Sequence, residues 1–164
     1  MNLKDLQFQI SSERISQFLL VSLFFIFLMH HWYILFNTPL LPGPDGGYYA
    51  VQVREILRSG NLYYSAPPIA FFIFAFFALI FLNLNAFPAP LCIINGVKFG
   101  LAFMKALCIF PAYLISKQIT KNNAISIGSA ILFEIHPFFM LLAYGTSLFK
   151  NAVGVFFLLS YIYF

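Results

Sequence analysis

The sequence predicts an all-α integral membrane fold: a helical bundle with about four spanning helices, an external amphipathic helix and a juxtamembrane helix. Three observations predict it. Of 164 residues, 62% are hydrophobic and only 9% are charged, where a soluble domain carries roughly 25% charged residues. Several charge-poor runs match a hydrocarbon core of about 30 Å. Between two of them lies Leu41 to Pro68, LPGPDGGYYAVQVREILRSGNLYYSAPP, the only long polar-containing segment between apolar ones. The same composition excludes some functions. The net charge of +4 is spread over isolated lysines and arginines, so the clustered basic footprint of a nucleic-acid binder is missing. Cys92 and Cys108 sit in no CxxC or Cys/His cluster, so the sequence predicts neither a metal site nor a disulfide framework.

The elements follow in order. Residues 1–14 are polar and mixed in charge. Ile15 to Phe36 is 22 residues without a charge, enough to span. It is longer than a signal-peptide core and lacks a small-residue cleavage site, so it reads as an uncleaved anchor. Lys4 and Arg14 before it predict a cytoplasmic N-terminus. His30, His31, Trp32 and Tyr33 fall near its outer end and read as an interfacial aromatic belt rather than a metal-binding histidine pair.

An external loop with a surface helix is expected over 37–66. Asn37, Pro39, Pro42, Gly43 and Pro44 resist helix. From Tyr48 to Arg58 the pattern turns helical, with Tyr49, Val53, Ile56 and Leu57 on one stripe. Arg54 and Arg58 share another face, with Glu55 beside them. Ser59 and Gly60 stop the helix. A juxtamembrane or re-entrant helix is expected over 67–84, starting at Pro67-Pro68. Further spans are expected over 97–116, 124–144 and 150–164, the first interrupted by Lys98, Lys105 and Pro111. This count leaves 69–84 on the outer side, because Lys117 and Lys121 then face the cytoplasm. The final apolar run has no exit flank, so 1–164 reads as a single transmembrane module from a longer chain.

The segment PDGGYYAVQVREILRSGNLYY followed by APPI resembles the first external loop of the polyprenyl-phosphate-sugar-dependent glycosyltransferases of the GT-C fold. These include protein mannosyltransferases and aminoarabinose transferases. The matching residues are Asp45, Tyr48, Tyr49, Arg54, Glu55, Gly60, Pro67 and Pro68. The resemblance implies a GT-C-like N-terminal module. It implies transfer of a sugar from a polyprenyl- or dolichyl-phosphate donor to a lipid or protein acceptor, on the outer or lumenal side. A prokaryotic plasma membrane is the expected location, with that lipid-linked sugar and membrane lipids as partners. A chain of this length is expected to be inactive alone, since later helices help build the donor groove in that family.

Two departures stand out. Many members have Asp-Glu where this chain has Asp45-Gly46. Many also carry a second acid in a later external loop, which here reads AYGTSLFKN, with Lys150 and no acid.

Asp45 is the catalytic candidate. A general base must reach the attacking group, and the family uses this carboxylate for that or to hold a divalent cation near the lipid phosphate. Asp before Gly is equally a favoured helix cap or turn. Arg54 and Arg58 are candidates for the lipid phosphate, or contact headgroups and Glu55. Lys150 neutralises a leaving phosphate or merely flanks a helix. Tyr48 and Tyr49, like Tyr63 and Tyr64, line a sugar pocket or anchor the interface.

Lys105 and Glu134 need no resemblance. Each lies about 15–16 Å from the same membrane face at 1.5 Å per residue. A lone charge at mid-bilayer costs at least roughly 2.5–3.5 kcal/mol. A Lys105–Glu134 pair inside the bundle relieves that cost and fixes helix rotation, a structural role. That pair supports the alternative function, a non-enzymatic membrane protein such as a transporter component or assembly partner.

Overall fold

The computed structural model describes residues 3–41, 46–66, 68–137 and 149–164, with side chains from residue 13 and, in the last segment, from residue 150. Every element among these residues is an α-helix. Helix α1 spans Leu3–Phe36. It ends where side chains take over the last carbonyls: Asn37 Nδ2 donates to Tyr33 O at 2.9 Å and Thr38 Oγ1 to Leu35 O at 2.7 Å. Pro39 follows and cannot continue the helix.

Helix α2, Gly46–Ser59, buries Tyr49, Gln52, Val53 and Ile56. Three of the four predicted stripe residues therefore face inward, and Leu57 is half-buried. Gly60, at φ 77°, supplies the left-handed turn that ends the helix. Helix α3, Ile69–Asn83, and helix α4, Ala89–Leu107, form a tight hairpin. A Cβ on Gly96 would stand 2.4 Å from Ala78 Cα, so the two backbones touch there. Gly96 and Gly100 form a small-xxx-small pair of the kind that lets helices approach closely.

Helix α5, Ile109–Thr120, continues α4 after a break at Cys108. Pro111 explains the break: it has no N–H for the Leu107 carbonyl, and its ring crowds that group. Lys121 turns left-handed at φ 54°, and Asn122 caps helix α6, Asn123–Ile135, through Ala124 N at 2.9 Å and Ile125 N at 3.2 Å. Helix α6 ends at Ile135, and His136 takes the extended ψ of 127° that a residue before proline prefers. Helix α7 is Phe149–Tyr163.

The α4–α5 rod lies antiparallel along α1. Phe36 meets Phe87, Trp32 meets Phe99 at 4.6 Å, Phe24 meets Phe110 at 5.5 Å, and Ser16 lies beside Tyr113. The α3–α4 turn therefore sits at the Phe36 end of α1, and the α5–α6 turn at its Ser16 end.

Two helical stretches are long and apolar enough to cross a membrane, Glu13–Phe36 and Ala89–Thr120. Two, rather than four, meet that length among the described residues. Helix α6 has 13 described residues and α7 has 15, and most of the second half of the expected 124–144 span lies outside the described residues. The second stretch also begins earlier than the expected 97–116, because Pro88 and Pro90 start the helix at Ala89. The exposed face of α1 carries Phe18, Val21, Phe25, Ile26 and Met29, a largely apolar surface of the kind that marks a membrane or partner contact.

Candidate functional site

Two constellations hold the polar side chains of interest. The first is built on α2. Gln52 is fully buried and uses its whole amide. Oε1 accepts from Tyr63 N at 2.8 Å and Tyr64 N at 3.0 Å. Nε2 donates to Tyr64 O at 2.9 Å and to Tyr48 Oη at 3.1 Å. An amide offers two donors and two acceptor sites, so one side chain clamps the chain leaving α2 back onto it.

Tyr48 stacks on Tyr64 with ring centroids 5.8 Å apart. Tyr49 is 1% exposed and packs on Phe71 and Phe74 of α3. Its hydroxyl accepts a 3.4 Å bond from the backbone N of Lys150. Tyr49 is thus a packing residue that ties the start of α7 to α2, rather than the wall of an open pocket. Lys150, Arg54 and Arg58 are exposed. Arg54 rims an otherwise apolar groove of about 380 Å3 between α2 and α4, lined by Ala50, Val51, Pro90 and Ile93. Asp45 immediately precedes α2 in sequence but lies outside the described residues, and so do Pro67 and the expected divalent cation's position near Asp45.

At the end of α1, Lys98 is buried and its Nζ donates to the carbonyl of Thr38. That bond ties α4 to the chain just before the Asp45 loop. Lys98 is therefore more than an interruption of a span.

The second constellation is buried between α1, α4 and α6. Lys105, His31 and Glu134 are 0%, 1% and 0% exposed. His31 Nε2 lies 3.0 Å from Glu134 Oε2, and His31 Nδ1 lies 3.5 Å from Lys105 Nζ. Lys105 and Glu134 thus meet in one buried cluster with His31 between them, where the sequence predicts a two-residue pair. His31 also stacks on Phe27 at 6.0 Å. The aromatic-belt expectation for His31 is corrected: it falls on the same face as Leu20, Phe24, Phe27 and Leu35, all buried. His30 and Tyr33 stay exposed. Spacing alone could have found His31, but α1 is apolar all round, so its inward stripe has no contrast in the sequence.

Among the described residues no three His, Cys, Asp or Glu side chains gather as a metal site. Cys92 and Cys108 are buried thiols. No protein-family model matches the chain, and comparison with curated proteins and with solved structures finds no match either.

Proposed function

We propose that this chain is the N-terminal membrane module of a glycosyltransferase that takes a sugar from a polyprenyl- or dolichyl-phosphate donor. The observation that carries the reading is the placement of α2. It is docked on α3 and α4 by its apolar stripe, with Gln52 holding the chain that leaves it, and it leaves Arg54 and Arg58 outward. Lys150 is tied to it through Tyr49. Two exposed arginines therefore stand on the helix that follows Asp45, and the backbone of a third cationic residue, Lys150, is bonded to it. In this reading Arg54, Arg58 and Lys150 meet the anionic phosphate, and the apolar groove beside Arg54 suits a lipid tail. Asp45 removes the proton from the acceptor as general base.

The test is sugar transfer from a labelled polyprenyl-phosphate sugar in membranes containing the full-length protein of which this module is proposed to be part. Asp45→Asn, which keeps size and turn preference, is expected to lower transfer by at least roughly 10²-fold, as loss of a general base does, while the protein stays folded. Unchanged transfer would remove Asp45 from the chemistry.

One observation favours a second reading, a non-enzymatic membrane protein acting as a transporter component or assembly partner. The buried Lys105–His31–Glu134 cluster is the kind of intramembrane polar group that marks transport or assembly. On that reading Glu134→Gln abolishes function and Asp45→Asn leaves it intact.

A further inference from the structure

We infer that Lys105, His31 and Glu134 form a latch inside the bundle, in which a neutral His31 protonated on Nε2 joins the ammonium on α4 to the carboxylate on α6. With Lys105 as the ammonium, the hydrogen-bond geometry selects the tautomer. A lysine ammonium has three donors and no acceptor, so His31 Nδ1, 3.5 Å from Lys105 Nζ, must accept. The ring proton then sits on Nε2, 3.0 Å from Glu134 Oε2, and donates to it. One positive and one negative charge cancel across a neutral ring. An imidazolium would instead set two cations side by side against a single carboxylate.

The three residues come from three helices, so the latch fixes the rotation of α1, α4 and α6 together. Among the described residues Glu134 Oε1 is buried with no hydrogen-bond partner, and His31 is the donor to Oε2. Cys108, one turn beyond Lys105, turns its thiol to the Met104 carbonyl at 3.5 Å instead. His31 is thus a positioning residue. A leucine there would fit an apolar helix equally well by composition, yet would remove the ring that bridges Lys105 and Glu134. This inference does not depend on the sugar-transfer reading, and neither of its readouts measures transfer.

The first measurement is nitrogen NMR of histidine-labelled protein in lipid nanodiscs, with the His31 signals assigned by their loss in His31→Gln. The expected result is one protonated and one bare ring nitrogen, the proton on Nε2. Two protonated nitrogens, or a proton on Nδ1, overturn the latch. The second is the temperature at which the buried Cys92 and Cys108 thiols become reactive. Glutamine offers both a donor and an acceptor, so His31→Gln is expected to hold the wild-type temperature more closely than His31→Leu. A His31→Leu protein that opens where the wild type does overturns the proposal, and the NMR result stands on the wild type should the leucine variant fail to fold.

Discussion

Gln52 shows how one polar side chain organises a whole loop. Its four hydrogen bonds reach the backbone of Tyr63 and Tyr64 and the hydroxyl of Tyr48. Among the described residues no second side chain in that region spans so many groups. Gln52→Ala is expected to cost about 1–3 kcal/mol, the range for leaving such groups unmet. Gln52→Glu should fail as well, because a carboxylate accepts but cannot donate to the Tyr64 carbonyl. Thermal exposure of the buried cysteine thiols measures both, and wild-type behaviour of the glutamate variant would refute the clamp. Gln52 was visible in the sequence only as a polar residue beside the stripe Tyr49–Val53–Ile56. Its partners lie 11 and 12 residues away, past a turn at Gly60, so local pattern could not reveal that its amide points inward.

At the scale of elements, the α3–α4 hairpin is held by close backbone approach. A Cβ at Gly96 meets Ala78 Cα at 2.4 Å and Ala78 N at 2.5 Å. These are backbone atoms that cannot rotate away, so Gly96→Ala must push the helices apart. The expected cost is about 1–3 kcal/mol, that of overpacking. A Cβ at Gly128 of α6 meets nothing within 4 Å, and Gly128→Ala is expected to stabilise by roughly 0.5–1 kcal/mol through helix propensity. Unfolding of the two variants in one detergent gives the contrast, and equal behaviour would mean that the hairpin yields. The Gly96-xxx-Gly100 spacing is readable from sequence as a close-packing face. What it packs against is not, since α3 offers Ala70, Ala75 and Ala78 as equivalent small residues and only the register of the hairpin selects Ala78. The break between α4 and α5 was legible in Pro111, because proline acts on its own backbone; the end of α6 at Ile135 was not foreseen, since the expected span ran on to residue 144.

For the whole molecule, the α4–α5 rod lies along α1 from Phe87 near Phe36 to Tyr113 near Ser16. The α3–α4 and α5–α6 turns thus lie at opposite ends of α1. With both stretches spanning a bilayer, Ala86→Cys and Gln118→Cys, both at exposed positions, are expected to react with a membrane-impermeant thiol reagent from opposite sides of sealed vesicles. Labelling from one side only would overturn that arrangement. Composition by itself determined that the helices would be apolar, since 62% of residues are hydrophobic and 9% charged, and two of them are long and apolar enough to cross a membrane. Local chemistry determined where α2 begins its stripe, where proline breaks the rod and where Asn122 caps α6. Helical rise even brought Lys105 and Glu134 to one depth. Only the tertiary structure decided that His31 stands between them, that Tyr49 is buried on α3 and that Lys98 reaches the Thr38 carbonyl. In a chain apolar on nearly every face, periodicity carries little information about which side turns inward. That choice is made by packing between helices far apart in sequence.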